Sequence, residues 1–98
     1  MTGKDRAALR AEAHHLKANV HVGHAGLTPA LLQSLDDVLR THELVKAQVA
    51  QAGELSARDA ANEIASQMGA EVIQVIGRTF TLYRENPELK RGNTPPWR

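Results

Sequence analysis

The chain has no cysteine among its 98 residues. Disulfides and thiolate metal sites are therefore excluded, which fits a reducing compartment. It holds one Trp, one Tyr and one Phe, so its core must be built from Val, Leu, Ile and Ala. No apolar run approaches the ~18 residues a membrane span needs, and no leader pattern opens the chain. A cytoplasmic location is expected, with no membrane partner. Activated-serine, phosphate-loop and dinucleotide signatures are missing, and Asp36, Asp37 and Glu54 are isolated acids. The expectation is a protein that is not an enzyme and takes no cofactor. Five histidines raise the question of a metal. His14 and His15 would point about 100° apart on a helix, His21 and His24 straddle a strand end and a loop, and the zinc-protease spacing is missing, so no metal site is expected.

What is present is ordinary for a single soluble domain: 42% hydrophobic and 23% charged residues. The formal net charge is +1, but it is unevenly spread. Residues 1–26 carry four basic groups against two acidic ones, and residues 78–98 carry five against two. Residues 27–77 carry three against seven. Basic ends around an acidic middle suit an anionic partner, although a solvated surface can show the same unevenness.

The spacing of apolar residues predicts a helix over residues 3–17, with Leu9, Ala13 and Leu16 on one face and Arg6, Arg10 and Lys17 elsewhere. Thr2 and Asp5 have the spacing of a helix cap. Val20 and Val22 flank His21 in a short strand. Gly23-His24-Ala25-Gly26 is then a tight turn, and Thr28-Pro29 is an N-cap followed by proline at the first helical position. Leu27 and Leu32 have the spacing of a hydrophobic staple. The second helix is expected from Pro29 to Thr41 and the second strand from Leu44 to Val49, with Lys46 pointing away from the face of Val45. Ser56 with Asp59 starts a third helix that Gly69 ends. A third strand, Glu71–Ile76, is aliphatic enough to read as central in the sheet. Gly77-Arg78 suits a type II′ hairpin turn into a fourth strand, Thr79–Arg84. The expected domain covers 1–85, and the proline-containing basic segment 86–98 reads as a disordered tail.

The order is thus α-β-α-β-α-β-β. Right-handed crossovers would put the second and third helices on one face of a four-stranded mixed sheet, giving an α/β two-layer sandwich. A turn at a helix N-terminus, made with two glycines, also favours an anion such as phosphate.

Five segments stand in order: Leu16-Lys17, Val22-Gly23-x-x-Gly26-Leu27-Thr28, His42-Glu43-Leu44-Val45-Lys46, Val75-Ile76-Gly77-Arg78 and Leu82-Tyr83-Arg84. Together they resemble the YhbY-like, or CRM (chloroplast RNA splicing and ribosome maturation), RNA-binding domain over about residues 5–85. The resemblance implies a fold similar to the C-terminal domain of the bacterial translation initiation factor three. It also implies RNA binding with the Gly-x-x-Gly loop as a principal contact. For a single short copy, it implies a role on rRNA of the precursor large ribosomal subunit. Family loops often carry a basic residue in the turn, where this chain has His24-Ala25, so the loop holds little charge of its own.

The RNA-binding set expected on this basis is Lys17, Gly23, His24, Ala25, Gly26, Lys46, Arg78 and Arg84. The glycines would let a phosphate approach backbone N–H groups, as in KH domains, and the cations would add phosphate contacts. His21 would face RNA or solvent. Tyr83 could stack on a base, but packing against the sheet is the stronger expectation. A monomer is expected, with no DNA partner. The alternative is a protein-interaction module that docks a partner through the same sandwich, its acidic middle facing that partner.

Overall fold

A computed structural model describes residues 3–18, 20–23, 25–50 and 55–86. Its elements are α1 (Gly3–Ala13), β1 (Val20–Val22), α2 (Pro29–His42), β2 (Leu44–Val49), α3 (Ala57–Met68), β3 (Glu71–Ile76) and β4 (Thr79–Tyr83). The four strands form one sheet of order β1-β2-β4-β3. β1 runs parallel to β2, while β4 is antiparallel to both β2 and β3.

Local chemistry explains the element ends. Thr28 accepts the N–H of Leu31 through its hydroxyl oxygen at 3.1 Å, and Ser56 accepts that of Asp59 at 3.0 Å. These side chains satisfy donors that a helix start leaves without a partner. Leu27 and Leu32 both pack against the main core, which fits the staple. Gly77 takes φ 58° while Arg78 stays out of the positive region, as a type II′ turn requires.

Period-two alternation sorts the sheet into two faces. Val20, Val22, Val45, Ala47, Phe80 and Leu82 lie on the face packed by α2 and α3, with Leu35, Leu39 and Ile64 completing the main core. Each of these large aliphatic or aromatic side chains stabilises the fold by about 1.5–3 kcal/mol on burial. As expected, α2 and α3 pack on one face of the sheet. On the reverse face, Leu9 of α1 packs with Leu44, Ile73 and Tyr83 in a smaller cluster. Tyr83 is buried there and packs against the sheet.

Three expectations need correction. β3 is an edge strand, not a central one, because the hairpin inserts β4 between β2 and β3. The edge is blunted by a register shift between Val72 and Gln74 and by Arg6, whose guanidinium donates to the Val72 carbonyl at 3.0 Å. α1 ends at Ala13 rather than at residue 17. The next residues turn tightly, with the N–H groups of His15 and Leu16 donated three residues back to Glu12 and Ala13. Leu16 is consequently exposed. Lastly, β4 stops at Tyr83, although Arg84 still donates its N–H to the Glu43 carbonyl at 2.9 Å. Thr2, His24 and the tail beyond residue 86 lie outside the described residues. Asn86 itself is tied to the body: its N–H donates to the Glu43 carboxylate at 2.5 Å and its amide to the Arg40 carbonyl at 2.7 Å.

Candidate nucleic-acid interface

The Gly-x-x-Gly turn leaves the sheet at the end where β1 and β2 finish and β4 begins. The N–H of Gly26 donates to the Gly23 carbonyl at 3.1 Å, closing the turn, and Thr28 donates to the Gly26 carbonyl at 3.1 Å. Two bonds hold this end together. Ala50 N–H meets the Val22 carbonyl at 2.8 Å, and Val49 N–H meets the Arg78 carbonyl at 2.8 Å. The hairpin turn and the Gly23 turn therefore sit side by side. Between them lies an open cleft of ≈ 300 Å³, lined by His21, Gly23, Gln48 and Arg78 among others. Arg78 is exposed, and its guanidinium has no ion pair among the described residues. Of the first N–H groups of α2, Leu31 and Leu32 are both occupied by Thr28. That of Ala30 has no partner among the described residues and stays available to an anion.

The two glycines of the turn differ. Gly26 sits at φ +73°, where an L side chain is strained, so the turn itself requires it. Gly23 lies outside the positive-φ region, and a Cβ built on it would meet nothing within 4 Å. Neither the backbone nor the packing of this chain asks for glycine at 23.

The remaining expected residues are distributed unevenly. Ala25 is exposed in the same turn. Lys46 is on the reverse face of β2, one alternation down from Gln48. Its ammonium donates to the carbonyls of Ala13 at 3.2 Å and Leu16 at 3.3 Å, capping the C-terminal turn of α1. Lys17 is exposed in the connection that enters β1, before the strand rather than beside the turn. Arg84 lies at the opposite end of the sheet from Gly23. Its guanidinium donates to the Met68 carbonyl at 3.2 Å and the Asp36 carbonyl at 3.3 Å, and pairs with the Asp36 carboxylate at 2.9 Å. The structure thus brings Gly23, Ala25, Gly26 and Arg78 together and binds Arg84 into the scaffold.

Sequence reasoning passed over a second hollow on the reverse face, next to the cleft. It measures ≈ 140 Å³ and is lined by His14, Lys46, Gln74, Ile76, Thr79 and Thr81. The polar alternates of β2 and β4 were the available signal.

The family model of the CRS1 / YhbY (CRM) domain matches residues 1–84. The chain belongs to the CRM domain family. Within that family, it is 33% identical over 95 residues to a Bacillus subtilis (strain 168) protein named Probable RNA-binding protein YqeI, covering 97% of this chain and 99% of the relative. A Haemophilus influenzae (strain Rd) protein named RNA-binding protein is 34% identical over 90 residues, covering 92% and 91%. The solution structure of the Staphylococcus aureus protein SAV1595 superposes with a TM-score of 0.67 at 32% identity, covering 92% of this CRM domain and 94% of that chain.

Proposed function

We propose that this CRM domain is a non-catalytic RNA-binding protein that holds an RNA phosphate in the cleft between the Gly23 turn and Arg78. The observation that carries the reading is Gly23, a glycine the folded chain does not need. It stands beside an exposed guanidinium that lines the same cleft, in the turn leading into α2, whose Ala30 N–H has no partner among the described residues. A phosphodiester matches that set: the missing side chain admits it, Arg78 supplies charge, and the α2 N-terminus adds favourable potential. The names of the relatives agree with the reading.

The finer reading is a ribosome assembly factor acting in the cytoplasm, as a monomer, on rRNA of the precursor large subunit. It follows from the family resemblance of a single short copy. Binding of purified large-subunit rRNA at low salt tests it. Gly23→Asp should leave the urea midpoint unchanged, because the site has open space, and weaken binding at least about tenfold, because a carboxylate would face the phosphate. Unchanged affinity would remove the cleft from the interface. In cells, crosslinking followed by sequencing of the bound RNA should recover one region of large-subunit rRNA. Recovery of unrelated transcripts alone would reject the assembly role.

A further inference from the structure

The reverse face of the sheet is covered over half its length. α1 closes one half through Leu9 on Leu44, Ile73 and Tyr83 and stops at Ala13. The other half, up to the cleft, is left uncovered by the described residues. There the cross-strand pairs Lys46–Thr81 and Gln48–Thr79 stand side by side, flanked on β3 by Gln74 opposite Thr81 and Ile76 opposite Thr79.

The chemistry of this half-face is specific. Among the described residues the side chains of Gln48, Gln74, Thr79 and Thr81 make no hydrogen bond, although each can both donate and accept. Thr81 is only 2% exposed, yet its side chain lines the hollow. Lys46 gives two hydrogen bonds to α1 carbonyls, which leaves one of its three N–H donors. Ile76 is 58% exposed and supplies an apolar surface beside these polar groups.

We propose that this hollow reads one unpaired base of an RNA strand whose phosphate lies in the neighbouring Gly23–Arg78 cleft, an inference that rests on the RNA-binding reading above. A flat ring with amide and amine edges uses what is offered: paired donors and acceptors around an apolar platform. A second phosphate would find one remaining ammonium donor and several neutral groups, a poorer match. The base must be unpaired, because in a duplex the ring faces are stacked and the pairing edges are occupied, and only a splayed-out base offers both. Position agrees as well. Gln48 lines the cleft and its cross-strand partner Thr79 lines the hollow, so the two sites adjoin across a single pair of the ladder. A strand leaving the cleft therefore enters the hollow within about one nucleotide.

The test uses the full chain and fluorescent oligoribonucleotides: short homopolymers of uridine, cytidine and adenosine, and a fully paired hairpin stem. The intact protein should prefer at least one homopolymer over the stem. The double variant Gln74→Ala/Ile76→Ser lies on exposed or half-exposed edge positions and should keep its melting temperature. It should lose about fivefold to a hundredfold in affinity for the preferred homopolymer and bind the homopolymers alike, with its salt dependence unchanged. The isosteric Thr81→Val should also erode the base preference, which covers the case of a misfolded double variant. If the intact protein binds no RNA, the RNA-binding reading itself falls and this inference with it. If Gly23→Asp weakens binding while the double variant and Thr81→Val keep full affinity and preference, the cleft stands and base reading by the hollow is overturned. Equal binding of stem and homopolymers overturns it too. So does a double variant that keeps its RNA affinity but loses a nuclease-resistant protein partner.

Discussion

At the end of the sheet where β2 begins, Arg84 spends its guanidinium on the Met68 carbonyl and on the carbonyl and carboxylate of Asp36. At the end where β2 finishes, Arg78 is exposed and has no ion pair among the described residues. Glu43 and Asn86 strengthen the first end. Glu43 is buried at the αL position that closes α2, and its carboxylate accepts the N–H of Asn86. The second end has a turn, a cleft and a helix start whose Ala30 N–H has no partner among the described residues. Two arginines of one chain thus belong to different parts of its design. One ties α2, α3 and β4 into a scaffold, and the other stays exposed at the cleft where RNA is proposed to bind. The difference lies in which carbonyls the fold brings near each side chain.

Substitutions can break or sharpen this contrast. The largest effect should come from Arg84→Ala, which removes a charged donor from two backbone carbonyls and a carboxylate. Hydrogen bonds to charged groups are worth roughly 1.5–3 kcal/mol each, and Arg84 is mostly shielded from water, so a loss of about 2–3 kcal/mol is expected in urea denaturation. A loss under about 0.5 kcal/mol would mean that the tie is ornamental. Next, Gly26→Ala should lower stability by about 1–2 kcal/mol through its left-handed backbone. Gly23→Ala should leave stability level or raise it by about 0.4–1 kcal/mol. Equal losses at both positions would erase the distinction between a turn glycine and an approach glycine. Lys46→Met keeps the apolar stem but removes the ammonium from the Leu16 carbonyl and from that of Ala13, which keeps the Leu16 N–H, at about 1 kcal/mol. Hydrogen exchange in the last turn of α1 should quicken, and unchanged protection would remove Lys46 from the scaffold. The smallest effect belongs to Arg78→Ala. Stability should not move, while RNA affinity falls by a fewfold and the salt slope by about one. A melting temperature that drops instead would place Arg78 with Arg84.

Most of the fold was legible because local signals agreed with one another. Thr28-Pro29 and Ser56 with Asp59 marked helix starts that the hydroxyl bonds bear out. The bounds of β2 were readable from alternation, and those of β3 from an aliphatic run between Gly69 and Gly77. The end of α1 was not, because Leu16 continues the helical period while Lys46, thirty residues away, takes the carbonyls where the chain turns. β3 was misplaced because an aliphatic run looks the same in a central strand as in an edge strand with one helix-covered face. In the candidate site, Gly23 and Arg78 were legible as turn residues. That they share a cleft depends on the sheet order. Tyr83 was legible as a packing residue, and the adjoining hollow was not, since no sequence rule says where α1 stops covering the sheet.

The sequence by itself determined the element order, the N-caps, the hairpin turn, the two faces of β1, β2 and β4, and the family. These depend on contacts within a few residues, or on periodicity that one segment displays alone. Tertiary structure decided which cations are bound into the scaffold and which remain exposed, which strand is at the edge, and which glycine the fold can do without. The physical reason is distance along the chain. Arg84 meets Asp36 across 48 residues, and Lys46 meets Ala13 across 33. A side chain's role follows from the partners that folding delivers, and those partners are not its neighbours in sequence. The turn at Gly23 is readable as a turn from four letters, but its place beside Arg78 exists only once β2 and β4 have paired.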